Sequence, residues 1–216
     1  MHLKVLFMKK QLEPQESLHE IRQMMERSSR FISLNGLSGV FAGILALLGA
    51  YIAFQYLQTH YSIESYLMQN NNAGSYSGYL FFAADAALVL LGSIGIAIVL
   101  SYRKAKKKGV DLWDKTAQRV FINLMIPLLA GGIFCIILLY HGLIGMVAPA
   151  TLIFYGLALI NASKYTYNDI RYLGMVELVI GLFAALFIGY GLFFWAAGFG
   201  LAHIIYGAVM YFKYDR

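Results

Sequence analysis

Charged side chains are scarce in this chain. Asp, Glu, Lys and Arg make up 13% of its 216 residues, whereas about 25% is usual for a soluble domain. Hydrophobic residues make up 60% of the chain, and the mean hydropathy is +0.64. This composition leaves no room for a separate soluble domain, and it predicts a single membrane domain.

Basic residues are absent from three of the loops that join six apolar stretches. The stretches are Phe31–Leu57, Tyr79–Ser101, Val120–Tyr140, Leu143–Ala162, Leu173–Tyr190 and Leu192–Phe212. Each is close to the ~20 residues that a helix needs to cross the hydrocarbon core. All 17 Lys and Arg residues lie on one side of these stretches. Since such residues stay in the cytoplasm, we expect an all-α polytopic fold with six transmembrane helices and both termini cytoplasmic. The predicted location is the bacterial inner (cytoplasmic) membrane.

A short amphipathic helix is predicted before the first apolar stretch, at 15–30. Leu18, Ile21, Met24 and Met25 share one of its faces, at the spacing of a helical surface. The predicted organisation is therefore a cytoplasmic N-terminal segment, residues 1–30, followed by one transmembrane domain, residues 31–216.

Cysteine and the common catalytic motifs are also rare or missing. The single cysteine, Cys135, lies within an apolar stretch and cannot form a disulfide inside the chain. The sequence contains no HxxxH, HExxH or CxxC spacing, no GxSxG motif and no GxxxxGK[ST] motif, which are signatures of metal sites, hydrolases and nucleotide binding. We therefore predict no catalytic residue, no metal site, no cofactor and no enzymatic activity.

Proline occurs only three times. Pro127 and Pro149 are predicted to lie in the first turns of the third and fourth helices, where the missing N–H group costs little. Neither residue then indicates the broken helices that many transporters contain.

Glycine, in contrast, is abundant and regularly placed. The six stretches form three similar hairpins, and the best match pairs the segment 153–156 with the segment 204–207. Hairpins that all begin on one side predict parallel repeats about an axis along the membrane normal. Gly39 and Gly43 form a GxxxG pair, which predicts close helix packing within the bundle. Homodimerisation through this glycine face is the alternative.

Three glycine-punctuated hairpins, spanning about Gly36 to Lys213, resemble the HdeD-type bacterial membrane proteins that are associated with acid resistance. The stretches 30–39 and 198–207 also resemble uncharacterised bacterial integral membrane proteins. The resemblance implies a six-helix architecture and a role in envelope stress.

Three ionisable residues interrupt the apolar stretches: Asp85, Glu177 and His203. Such residues cost roughly 2.5–3.5 kcal/mol at the centre of a membrane helix, and none recurs at the matching position of the repeat. Glu177 and His203 differ in predicted depth by about 7 Å, a gap that side chains can nearly bridge.

Two interpretations of these residues remain open. The functional one is a proton- or cation-sensitive site. The structural one ties Glu177 to Asn35 or to another polar group near the headgroups, and His203 to a neighbouring helix. Asp85 would be protonated, pair with a hydroxyl such as that of Ser93 or Thr151, or face a cavity open to the outside.

The second cytoplasmic loop contains a basic cluster that is predicted to contact anionic lipid at the inner leaflet. The cluster is Arg103, Lys104, Lys106, Lys107 and Lys108. Because these residues lie beside membrane segments, the expected partners are membrane lipids and not nucleic acid. A homo-oligomer or a membrane-protein partner is also compatible with the sequence.

The absence of catalytic motifs favours a non-enzymatic integral membrane protein that binds a partner, a lipid or a small apolar molecule. The alternative is a small transporter or channel, in which Asp85, Glu177 and His203 form a polar path.

Overall fold

The structure, a computed structural model, describes residues 35–60, 76–109, 111 and 113–216. The predicted helix at 15–30 lies outside these residues. The described part of the chain contains helices and no strand. We number the helices α1 to α6: Gly36–His60, Tyr76–Lys108, Lys115–Tyr140, Val147–Ala162, Asp169–Leu186 and Gly191–Tyr214. A single turn of 3₁₀ helix, Ile144–Met146, precedes α4.

Five of these helices are long and apolar enough to cross a membrane: α1, α2, α3, α4 with its flanking turns, and α6. The chain is therefore a helical, multi-pass membrane protein. The remaining helix, α5, has 18 residues and contains Asp169, Arg171 and Glu177. Its crossing of the membrane, the sidedness of the termini and the choice of membrane stay predictions.

Some helices begin or end beyond the apolar stretches that predicted them. For example, α3 begins at Lys115 and not at Val120, because Asp114 caps it: its Oδ1 accepts a hydrogen bond of 2.6 Å from the backbone N–H of Ala117. Such a cap satisfies a backbone donor that the first turn leaves free. Apolar residues indicate which part of a helix lies in the hydrocarbon core, whereas capping residues indicate where the helix begins.

Pro127 lies inside α3 and not in its first turn, so this prediction was wrong. Because proline has no N–H group, the carbonyl of Asn123, four residues earlier, has no donor in its own helix. The side chain of Asn161 in α4 supplies one, at 2.9 Å from Nδ2 to the oxygen. A neighbouring helix thus repairs the break, as membrane helices require. Pro149 does lie in the first turn of α4, as predicted.

The helices are arranged in the order α2, α1, α6, α5, α4, α3, each contacting the next. Both helices of each predicted hairpin are therefore neighbours, while the repeat axis itself stays a prediction. The GxxxG pair of α1 packs on α6 of the same chain. A Cβ atom on Gly39 would lie 3.1 Å from Gly207 Cα, and one on Gly43 would lie 2.5 Å from the Gly200 carbonyl oxygen.

Glycine also brings α4 and α5 together. A Cβ atom on Gly156 would lie 2.6 Å from the carbonyl oxygen of Gly174, and one on Gly174 would lie 2.7 Å from that of Gly156. The two backbones are therefore in direct contact, as small residues allow in membranes. This contact places Tyr155, next to Gly156, beside the middle of α5.

Polar groups join the predicted cytoplasmic ends of three helices and the segment that precedes α5. Asp215, just after α6, accepts a hydrogen bond of 2.7 Å from the backbone N–H of Gly36 and forms an ion pair of 2.5 Å with Lys104 of α2. The Lys104 ammonium also lies 5.6 Å from the centre of the Tyr167 ring. Burial, followed by the negative charge of Asp215, raises the pKa of Tyr167 to about 12.

Candidate functional site

Glu177 lies on the buried face of α5. The buried residues of this helix recur every three or four positions: Ile170, Leu173, Gly174, Glu177, Gly181 and Ala184. This spacing is that of one helix face, so the carboxyl group takes a position that an apolar side chain would normally fill. Its relative exposure is 0%.

His203 contacts this carboxyl group from α6. Its Nδ1 atom lies 3.1 Å from Glu177 Oε1, and its side chain is almost fully buried. In the structure α5 begins four residues earlier, and α6 ends two residues later, than their apolar stretches. Counted from these helix ends, the depths of Glu177 and His203 differ by about 4.5 Å, at 1.5 Å per residue. Asn35, one of the predicted alternative partners, accepts from the N–H of Leu37 instead.

Tyr155 completes the cluster, and the sequence did not single it out. Its hydroxyl group lies 2.9 Å from Nε2 of His203. A usable signal was the small residue that follows it, because Gly156 predicts a close approach of α4 to its neighbour. We call Tyr155, Glu177 and His203 the buried triad.

The imidazole ring of His203 is surrounded by aromatic side chains. The ring of Phe199 stacks on it at a centroid distance of 6.0 Å, and the ring of Trp195 lies 5.0 Å from that of Phe199. Tyr155 also lies 5.0 Å from Phe199. An apolar wall of this kind strengthens electrostatic interactions inside it, because the local dielectric constant is low.

The hydrogen bonding of the triad is incomplete. Nδ1 of His203 also lies 3.1 Å from the carbonyl oxygen of Gly198, which accepts its hydrogen. Within the part of the chain that the structure describes, neither carboxyl oxygen of Glu177 has a partner in hydrogen-bond geometry. A buried, under-partnered carboxyl group beside an imidazole can hold, share or release a proton. The described residues contain no group of three metal-binding side chains.

Asp85 lies apart from the triad. It is a partly exposed residue of α2, and its carboxyl oxygens face α1 at Gly49, where a Cβ atom would lie 3.4 and 3.5 Å from them. Gly49 is on another face of α1 than the glycines that contact α6. The hydroxyl group of Thr151, a predicted partner, donates to Ala148 in its own helix. The structure therefore brings together two of the three predicted residues.

The basic cluster of the second loop divides into two parts. Arg103, Lys106 and Lys107 are exposed, as lipid contacts require, and the side chain of Lys108 is outside the described part. Lys104 differs from the prediction: its side chain is 9% exposed and is paired with Asp215. The side chain is buried because α2 continues beyond its apolar stretch and contacts the end of α6.

Comparison with known proteins gives no match, since no family model, no curated protein and no solved structure matches the chain. The resemblance to HdeD-type proteins therefore stays a prediction.

Proposed function

We propose that this chain is a non-enzymatic integral membrane protein that acts by binding a membrane partner, a lipid or a small apolar molecule along the outer face of α2. This face is formed by Leu88, Leu91, Gly95, Ile98 and Tyr102, which follow one another at helical spacing. All five are exposed.

The packing of α2 is the observation that carries this proposal. None of the residues in its most apolar 18-residue stretch is buried, compared with 11% of those in α3 and 33% of those in α1. Its principal contact is with α1 alone. A helix that is held along one side leaves its other sides to the surroundings. In lipid, these sides are available to a second helix or to an apolar ligand.

Gly95 is a second feature of this face, and Gly132 of the control helix α3 shares it. A Cβ atom added to Gly95 would meet no atom within 4 Å, so this glycine makes no close packing inside the chain. Glycine in the middle of a helix costs about 1 kcal/mol relative to alanine. A helix that accepts this cost is expected to use the small residue in contact with something outside the chain.

The positions of the polar residues favour binding over transport. A path through Asp85, Glu177 and His203 would have to cross α1, because Asp85 and His203 lie on different sides of that helix. Glu177 is also fully enclosed. The role in envelope stress is supported only by the resemblance in the sequence.

Site-specific photo-cross-linking in native membranes tests this proposal. Leu91 on α2 and Ile136 on α3 are both 67% exposed, so a photoreactive amino acid at either position meets lipid to the same extent. We expect a discrete product at Leu91 that is absent at Ile136 and is lost when Gly95→Leu blocks the face. Identical products at the two positions would show that α2 contacts only bulk lipid.

A further inference from the structure

The buried triad adjoins an irregular segment of α6. Residues Ala196–Ala202 form a π-helix, in which the backbone accommodates one extra residue per turn. Such segments are rare, and they are frequent at functional sites. His203 is the first residue after this segment.

Contacts on two sides hold the π segment in place. Gly198 is pressed against Glu177 Oε2 and Leu152 Cδ2, so that a Cβ atom on it would collide with both. Gly200 is in equally close contact with the side chain of Leu47 in α1. The segment therefore packs directly against the carboxyl group of Glu177.

The carboxyl group of Glu177 and the carbonyl group of Gly198 compete for one hydrogen of His203. Nδ1 of His203 is equally distant, at 3.1 Å, from the Gly198 carbonyl oxygen and from Glu177 Oε1. One hydrogen on Nδ1 can be directed well toward only one of them. Which acceptor it prefers depends on the charge of Glu177, because a carboxylate is a stronger acceptor than a carbonyl group.

Counting protons gives the stable states of the pair. With one additional proton on Glu177, the imidazole is neutral, its Nδ1 donates to Gly198, its Nε2 accepts from the Tyr155 hydroxyl group, and the pair has no net charge. A second additional proton leaves one positive charge, and removal of the first leaves one negative charge. Either net charge is costly in an enclosed, apolar site.

We propose that Glu177, His203 and Tyr155 form a binding site for one exchangeable proton, and that its release to water rearranges the π segment. Release leaves a Glu177 carboxylate, which draws the Nδ1 hydrogen away from Gly198. The Gly198 carbonyl then lacks its side-chain donor inside the membrane, where an unsatisfied group is costly. The segment relaxes toward a regular α-helix, and Trp195 at its start moves.

The other groups around His203 do not supply a competing charge. Among the described residues, Glu177 from α5 and Tyr155 from α4 are the ionisable side chains in contact with it. On the side of α1, a Cβ atom added to Gly39 would lie 3.4 Å from the carbonyl oxygen of His203, and glycine carries no charge. Asp85 faces Gly49 on another side of α1. The proposed site is independent of the outer face of α2, so either proposal can fail without the other.

Trp195 provides a direct readout, because the chain has only two tryptophans. In a Trp113→Phe variant in phosphatidylethanolamine–phosphatidylglycerol vesicles, Trp195 is the sole indole. We expect its emission to change with pH along a one-proton curve. Trp195→Phe, which leaves only the exposed Trp113, serves as the control for general pH effects and should not follow that curve.

Two substitutions in the Trp113→Phe background locate the proton. We expect both Glu177→Gln and His203→Gln to abolish the pH-dependent change, and either one suffices if the other fails to fold. Asp85→Asn removes a different intramembrane carboxyl group and should leave the curve unaltered. A flat response before substitution, or a curve that persists in Glu177→Gln or disappears in Asp85→Asn, would overturn the proposal.

Discussion

Gly198 and Gly95 are both helical glycines, but they have opposite surroundings. A Cβ atom on Gly198 would collide with Glu177 and would lie 2.5 Å from Leu152 Cδ2, whereas one on Gly95 would meet nothing within 4 Å. We expect Gly198→Ala to lower the free energy of unfolding by about 1–3 kcal/mol through overpacking. Gly95→Ala should raise it by up to about 1 kcal/mol, because alanine favours helix.

Both changes can be measured by unfolding the two variants in the same detergent micelles and monitoring helix content by circular dichroism. Similar losses in the two variants would show that the space around Gly198 does not limit the packing of α6.

At the level of residues, the sequence predicted the unusual groups better than their partners. Glu177 and His203 were identifiable because ionisable residues are rare in apolar helices. Tyr155 was not, because tyrosine occurs 16 times and its hydroxyl group leaves no spacing pattern. The burial of Lys104 was equally unpredictable, because four other basic residues surround it in the sequence and its partner, Asp215, lies at the end of α6.

The link between α3 and α4 is an interaction between elements. Nδ2 of Asn161 donates to the Asn123 carbonyl oxygen that Pro127 leaves without a helical donor. We expect Asn161→Leu to lower the free energy of unfolding by about 1 kcal/mol. In a Pro127→Ala background the loss should be smaller, because the new N–H group of residue 127 satisfies the same oxygen.

A double-mutant cycle on the two single variants and the double variant isolates this coupling. A coupling energy indistinguishable from zero would mean that Asn161 does not compensate for the proline.

The ends and irregularities of elements were less predictable than their presence. Apolar stretches located every described helix, because the hydrocarbon core selects for them. They could not indicate the π segment, whose glycines contact Glu177 and Leu47 from other helices. The placement of Pro127 in the first turn was wrong as well, since it lies beyond that turn whether α3 is counted from Lys115 or from Val120.

At the scale of the whole molecule, the order of the helices was beyond the sequence. All the helices are apolar and most contain small residues, so no single helix reveals its neighbour. The order follows from pairs of glycines on different helices, such as Gly43 with Gly200 and Gly156 with Gly174. Such pairs become visible only when two helices are placed together.

The polar network at the predicted cytoplasmic ends links stability to pH. Asp169 accepts hydrogen bonds of 3.0 Å from Lys213 and 2.5 Å from the hydroxyl group of Tyr214. Although partial burial acts to raise the pKa of Asp169, these hydrogen bonds and the lysine charge hold it below its ordinary value of 3.8. A lowered pKa stabilises the folded state above the ordinary value, and this stabilisation is lost as the pH falls through the folded-state value.

We therefore expect Asp169→Asn to lower the free energy of unfolding near neutral pH by about 1 kcal/mol, a modest effect because Lys213 is half exposed. The difference from the unmodified protein should shrink as the pH falls below about 4, where the unmodified carboxyl group also becomes neutral. Asp111→Asn, at an exposed loop position, is the control and should change stability little. A difference that stays constant down to strongly acidic pH would mean that Asp169 stabilises the ends of α5 and α6 by packing and not by its charge.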